Sequence, residues 1–116
     1  MTSLAKPVEN GTITGVSHRH QKNVEQWIKE KSRMLEGLKG SEDTRFLIDG
    51  RFWHVWMDIT GQGGVVLYSQ WNSYYFFAEW IPHKRGQYGK IKFNRIKADI
   101  GQGIEEAVEE SDLKFA

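Results

Sequence analysis

Two hydrophobic periods divide this chain. Between Ser17 and Gly40 the residues Val24, Trp27, Ile28, Met34, Leu35 and Leu38 share one stripe, with Lys and Glu elsewhere. A return of apolar residues every three or four positions predicts an amphipathic helix, with Ser17 as its N-cap and Gly37 or Gly40 as its stop. Beyond it the period falls to two. "TRFLI" and "RFWHVWMDIT" flank Asp49-Gly50, a pair suited to the positive φ angles of a type I′ hairpin turn. Turn residues then separate "VVLYSQW", "YYFFAEWI" and "KIKFNRI", and "GQGIEEAVEE" reads as a short helix turning Ile104, Ala107 and Val108 inward.

The expected fold is therefore α+β: an N-terminal amphipathic helix packed on a roughly five-stranded antiparallel meander, followed by a short C-terminal helix. Residues 1–16 lack periodicity and read as a mobile arm, 17–110 as a single α+β domain, and 111–116 as a frayed acidic tail. At 116 residues, one core is the natural allowance.

Side chains alternate across a strand, so each strand splits into two sets. Trp53, Val55, Met57 and Ile59 form one apolar set, joined by Val65, Leu67 and Trp71, by Tyr74, Phe76, Ala78 and Trp80, and by Ile91 and Phe93. These are the expected core beneath the helix. The opposite set carries Phe52, His54, Trp56, Tyr68, Tyr75 and Phe77 beside Lys90 and Lys92. Such a face is too aromatic for a solvated surface, and an apolar patch of that size marks a contact site unless the chain or a homodimer mate covers it.

Composition sharpens this picture in one respect. Of the 15 aromatic residues, 13 lie between Phe46 and Phe93. Charge is also segregated: from Trp80 to Ala98 there are six Lys or Arg and no acid, whereas from Asp99 onward six acids face Lys114 alone. The net charge of +1 excludes a polyelectrolyte that coats nucleic acid or membranes indiscriminately. Without Cys there is neither a disulfide framework nor thiolate chemistry. The first residues lack the apolar core of a secretory signal, so a cytoplasmic protein with no membrane partner is expected.

Rings on a sheet beside a cationic strand suit single-stranded nucleic acid, because bases stack on aromatic faces while Lys and Arg neutralise phosphates. The expected contacts are Phe52, Trp56, Tyr68, Tyr75 and Phe77 for bases, with Lys84, Arg85, Tyr88, Lys90, Lys92 and Arg95, extended by Lys97, along the strand. The leading expectation is thus a small non-enzymatic module binding single-stranded RNA or DNA. Its alternative is a protein-binding inhibitor or adaptor, such as a viral antagonist of a host protein, using the same aromatic face as a hot-spot patch.

A third expectation is enzymatic. "HKRGQYGK" presents His83, Lys84, Arg85 and Tyr88 on one loop, a set able to deprotonate a ribose hydroxyl and stabilise a phosphorane without metal. At the level of fold, a helix followed by an antiparallel sheet with a basic, Tyr-bearing loop resembles the RelE-type messenger-RNA-cleaving toxins, a resemblance resting on residues 83–97 that implies metal-independent ribonuclease chemistry. No P-loop, dinucleotide fingerprint or Ser-His-Asp order is present, so no cofactor is expected. His18 and His20 lack a Cys or acidic ligand set and are expected in solvent rather than on a metal. The two "GQG" triplets are expected to be turns, and the Asp99 to Glu110 spacing fails as a calcium loop because Gly and Ile stand at its ligand positions.

Overall fold

The computed structural model describes residues 13, 15–36, 44–57, 64–81 and 89–115. Helix α1 (His18–Glu36) precedes strands β1 (Arg45–Ile48), β2 (Arg51–Met57), β3 (Val65–Trp71), β4 (Tyr74–Ile81) and β5 (Lys90–Lys97), and helix α2 (Ile104–Glu110) follows. The strands form one antiparallel sheet in the order β1-β2-β3-β4-β5, so the expected α+β meander is the fold. Between β1 and β2, Asp49 (φ 52°) and Gly50 (φ 85°) are both left-handed, the signature of the type I′ turn that sets the hairpin register Ile48↔Arg51. One extra residue on β2 between Val55 and Met57 shifts its register against β3.

Helix α1 covers the first face. Val24, Ile28 and Leu35 are buried against Trp53, Val55, Leu67, Phe76, Ala78 and Phe93, each aliphatic side chain contributing about 1.5–3 kcal/mol on transfer from water. Met34, expected on the same stripe, is 43% exposed, because Leu35 occupies the inward position of that turn at 2%. Leu38, Met57's side chain and Ile59 lie outside what the structure describes. Ahead of the helix, Val16 is buried, and Gln21 clamps the entering chain. The Gln21 Nε2 amide donates to the carbonyls of Ile13 (3.1 Å) and Val16 (3.0 Å), and its Oε1 accepts from the Ile13 N–H at 3.1 Å.

His18 is exposed as expected, but His20 is not: it is 4% exposed, one turn before Val24 on the inward side of the helix. The indole N–H of Trp53, itself fully buried, donates to His20 Nε2 at 3.1 Å. An indole nitrogen can only donate, so Nε2 carries no proton and Nδ1–H donates to Asp49 Oδ2 at 3.2 Å. Asn23 Nδ2 donates to the same oxygen at 3.0 Å. First the Asn23 bond and then the His20 bond hold the Asp49 carboxyl below its ordinary 3.8. This Trp-His-Asp chain fastens the first turn of α1 to the β1–β2 turn.

The second face is a second core. Val66, Tyr75, Phe77, Ala98 and Ala107 are buried together, with Trp56, Tyr68, Ile96, Ile104, Val108, Leu113 and Phe115 packed around them. The molecule thus has three layers: α1, the sheet, and a cover made of α2 and the segment after it. Where the sequence suggested a frayed tail, Leu113 and Phe115 are half-buried, because their side chains have apolar rings to meet.

Candidate nucleic-acid interface

The face expected to be open is mostly closed. Phe77 is fully buried and Tyr75 is 5% exposed, while Trp56 and Tyr68 are half-buried. The Phe115 ring stands edge-on to Trp56 and to Phe77, both at 5.3 Å. Tyr75 donates its hydroxyl to the Gln102 carbonyl at 2.8 Å, and burial pushes its pKa above the ordinary 10.0. Glu79 is also fully buried on this face, directly across from Val66 and Lys92. Trp56, Tyr75 and Phe77 therefore serve as packing here. The physical reason is simple: six rings on one sheet face cost too much in water for the chain to leave them uncovered when it has apolar residues to spend at its end.

What stays open on that face lies at the β1–β2 end. Leu47 (61% exposed) and Phe52 (47% exposed) are register partners, and the Arg45 guanidinium sits 4.4 Å from the Phe52 ring centroid. His54 stacks on Tyr68 at 5.0 Å with 20° between the planes. Burial first, and the Arg45 charge second, hold His54 below its ordinary 6.5.

The cations of β5 are exposed but divided by the pleat. Lys90 and Lys92 lie on the second face, whereas Arg95 and Lys97 share the α1 face with Ile91 and Phe93. Lys84, Arg85 and Tyr88, with His83, lie outside the described residues. The basic strand is thus brought beside buried rings on one side and beside half-exposed rings on the other.

That other side holds a row that parity alone assigned to the core. Trp71 and Tyr74 pair across the β3–β4 turn, Tyr74 pairs with Lys97, and both rings are only half-buried. The Arg51 guanidinium carbon lies 2.9 Å from the Trp71 ring centroid, and that of Arg95 lies 4.9 Å from the Tyr74 centroid. Partial desolvation lowers the Arg51 pKa from its ordinary value.

Trp71 is held on its other sides. Its indole N–H donates to Ser69 Oγ at 2.9 Å, and that hydroxyl donates to the Phe52 carbonyl at 2.8 Å. Phe76 packs at 4.7 Å from it, and His20 lies 6.1 Å away. The result is a fixed aromatic edge carrying three exposed cations: Arg51, Arg95 and Lys97.

A signal for this row existed in the sequence. Trp71 and Tyr74 flank the Asn72-Ser73 turn, where the strands end. No group of His, Asp or Glu able to hold a metal occurs among the described residues, and no described helix is long and apolar enough to cross a membrane. No protein-family model, curated protein or solved structure matches the chain.

Proposed function

We propose that this protein is a small non-enzymatic binding module, acting in the cytoplasm, that takes single-stranded nucleic acid along the Arg51–Trp71–Tyr74–Lys97 edge, with Arg95 beside it. The observation that carries the reading is that both half-exposed rings of this edge, Trp71 and Tyr74, carry a guanidinium. A stacked guanidinium offers a base its plane and a phosphate its N–H groups at once, which neither a Lys nor a bare ring can do. Pleating puts Arg51, Trp71, Tyr74, Arg95 and Lys97 on one side, so one strand of nucleic acid can engage them together.

The test is fluorescence anisotropy of labelled single-stranded RNA, single-stranded DNA and duplex DNA over a salt series. Replacing Arg51, Arg95 and Lys97 together by Ala removes up to three phosphate contacts, at about 0.7 in log–log salt slope each, so the slope falls by roughly 2. Lys90→Ala with Lys92→Ala changes it less. An unchanged slope in the triple variant, or no binding by the wild type at low salt, defeats the reading.

A protein-binding adaptor is the second reading. The exposed Leu47–Phe52 pair favours it, since two large apolar side chains side by side on a soluble surface suit a partner better than water. Phe52→Asp leaves oligonucleotide affinity unchanged if the edge is the site, and abolishes partner capture if the Leu47–Phe52 patch is.

A further inference from the structure

We infer that residues 99–115 form a displaceable strap, occupying an aromatic surface that a nucleic-acid strand takes when the strap lifts; this rests on the nucleic-acid reading above. The strap carries the two chemical features of such a strand. It brings a ring, Phe115, against Trp56 and Phe77, and it brings six carboxylates against the single cation Lys114. The surface beneath it is bordered by Lys90 and Lys92, both exposed. An acidic, aromatic-tipped segment lying on rings beside lysines occupies the place of an anionic, ring-bearing ligand.

The strap is held weakly by its own structure. Helix α2 has seven residues, fewer than two turns, and Ala107 is its one fully buried side chain. A helix that short has little stability apart from its packing. Its N-cap, Gly103, makes no side-chain hydrogen bond, and although Glu105 and Glu106 suit its first turn, Glu109 and Glu110 put the wrong sign at the negative end of the helix. Gly101, at φ +81°, supplies the bend at its root. Nor does it seal the face. An open hollow of about 670 Å³ lies mostly on the strap itself, among Glu105, Val108, Glu109, Leu113, Lys114 and Phe115, and reaches Trp56 of the sheet. Lifting the strap breaks the Tyr75 hydroxyl bond to Gln102 and frees Trp56, Tyr75 and Phe77, the rings that parity placed on the open side.

The experiment uses the full chain with oligothymidylate and oligouridylate as probes, reading anisotropy and backbone amide exchange together. Three results are expected. Saturating oligonucleotide speeds exchange of residues 104–115 rather than slowing it. Phe115→Ala, which removes the strap's anchor, tightens binding about tenfold by raising the population of the open form. Gly103→Ser acts the other way: a Cβ there meets nothing within 4 Å, the backbone (φ −75°, ψ 162°) suits a capping serine, and affinity falls about threefold.

Bound oligonucleotide with unchanged protection of 104–115, and wild-type affinity in both variants, overturns the strap and leaves the edge site standing. Binding by Phe115→Ala but not by the wild type defeats the edge as the site and leaves the surface beneath the strap as the one that takes nucleic acid. No binding by the wild type or either variant overturns both. Should Phe115→Ala unfold, the Gly103→Ser arm decides alone.

Discussion

His20→Leu separates a buried hydrogen-bond chain from ordinary packing. Leu fills about the space of the imidazole, so little cavity opens, but the Trp53 indole N–H loses its acceptor. Trp53 is fully buried, so water cannot replace the lost partner, and a stranded donor of this kind costs about 1–3 kcal/mol. The lost bond to Asp49 is solvent-exposed and adds little, so the stranded indole sets the cost, about 2 kcal/mol. At a urea m-value of about 1.5 kcal/mol/M the unfolding midpoint then falls by a little over 1 M. The second arm is Trp53→Phe in both backgrounds. In the wild type it breaks the bond and shrinks the ring; in His20→Leu it removes a donor that was already stranded, so it costs about 1–2 kcal/mol less there. Urea unfolding followed by circular dichroism reads all four proteins. A His20→Leu cost below about 0.5 kcal/mol, or additivity of the two changes, refutes the chain as a stabilising element.

Two further outcomes follow from titrating groups. Asp49→Asn keeps a residue that tolerates the left-handed backbone but removes the charge; because the folded carboxyl titrates below its ordinary 3.8, wild-type stability from it is present above that value and lost as pH falls through the lower folded one. The thermal midpoint of Asp49→Asn therefore lies below wild type at neutral pH and converges with it in acid, and a gap that persists near pH 2 counts against the assignment. Arg45→Ala raises the His54 midpoint read by NMR, yet leaves it under 6.5, since burial and not Arg45 is the larger cause; no movement removes Arg45 from the account.

Parity was the legible part of this chain. The alternation separated Trp53 and Phe76 from Phe77 and Tyr75, because successive side chains of a pleated strand point to opposite faces, but it did not foresee the bulge that pairs Met57 with Val66 of the second face. What covers each face was not legible from the same pattern. Leu113 and Phe115 are two apolar residues in an acidic stretch without period, and nothing local distinguishes them from a solvated tail. Their packing is decided by the rings they meet, some 40 residues away in sequence. His20 is different, since its position relative to Val24 and Ile28 placed it on the buried side of α1. A histidine on that stripe asks for a partner at each nitrogen, and the Asp49 of the hairpin turn and the Trp53 of the core parity set were both in view.

The half-exposure of Trp71 and Tyr74 goes with their place as the last pair of β3 and β4 before the Asn72-Ser73 turn. Residues of core parity at the strand ends are left partly uncovered, and here Arg51 and Arg95 lie on them. Those guanidiniums can serve a ligand in two ways, as charges for phosphate or as planes on which a base stacks. Arg51→Lys keeps the charge and loses the plane. As a phosphate contact alone, Lys serves equally and neither affinity nor salt slope moves. As a stacking surface for a base, the plane matters: affinity falls about fivefold, the equivalent of roughly 1 kcal/mol of cation–π and stacking energy, while the salt slope stays at its wild-type value. Wild-type affinity in Arg51→Lys would refute stacking on the guanidinium and reduce the edge to a row of charges.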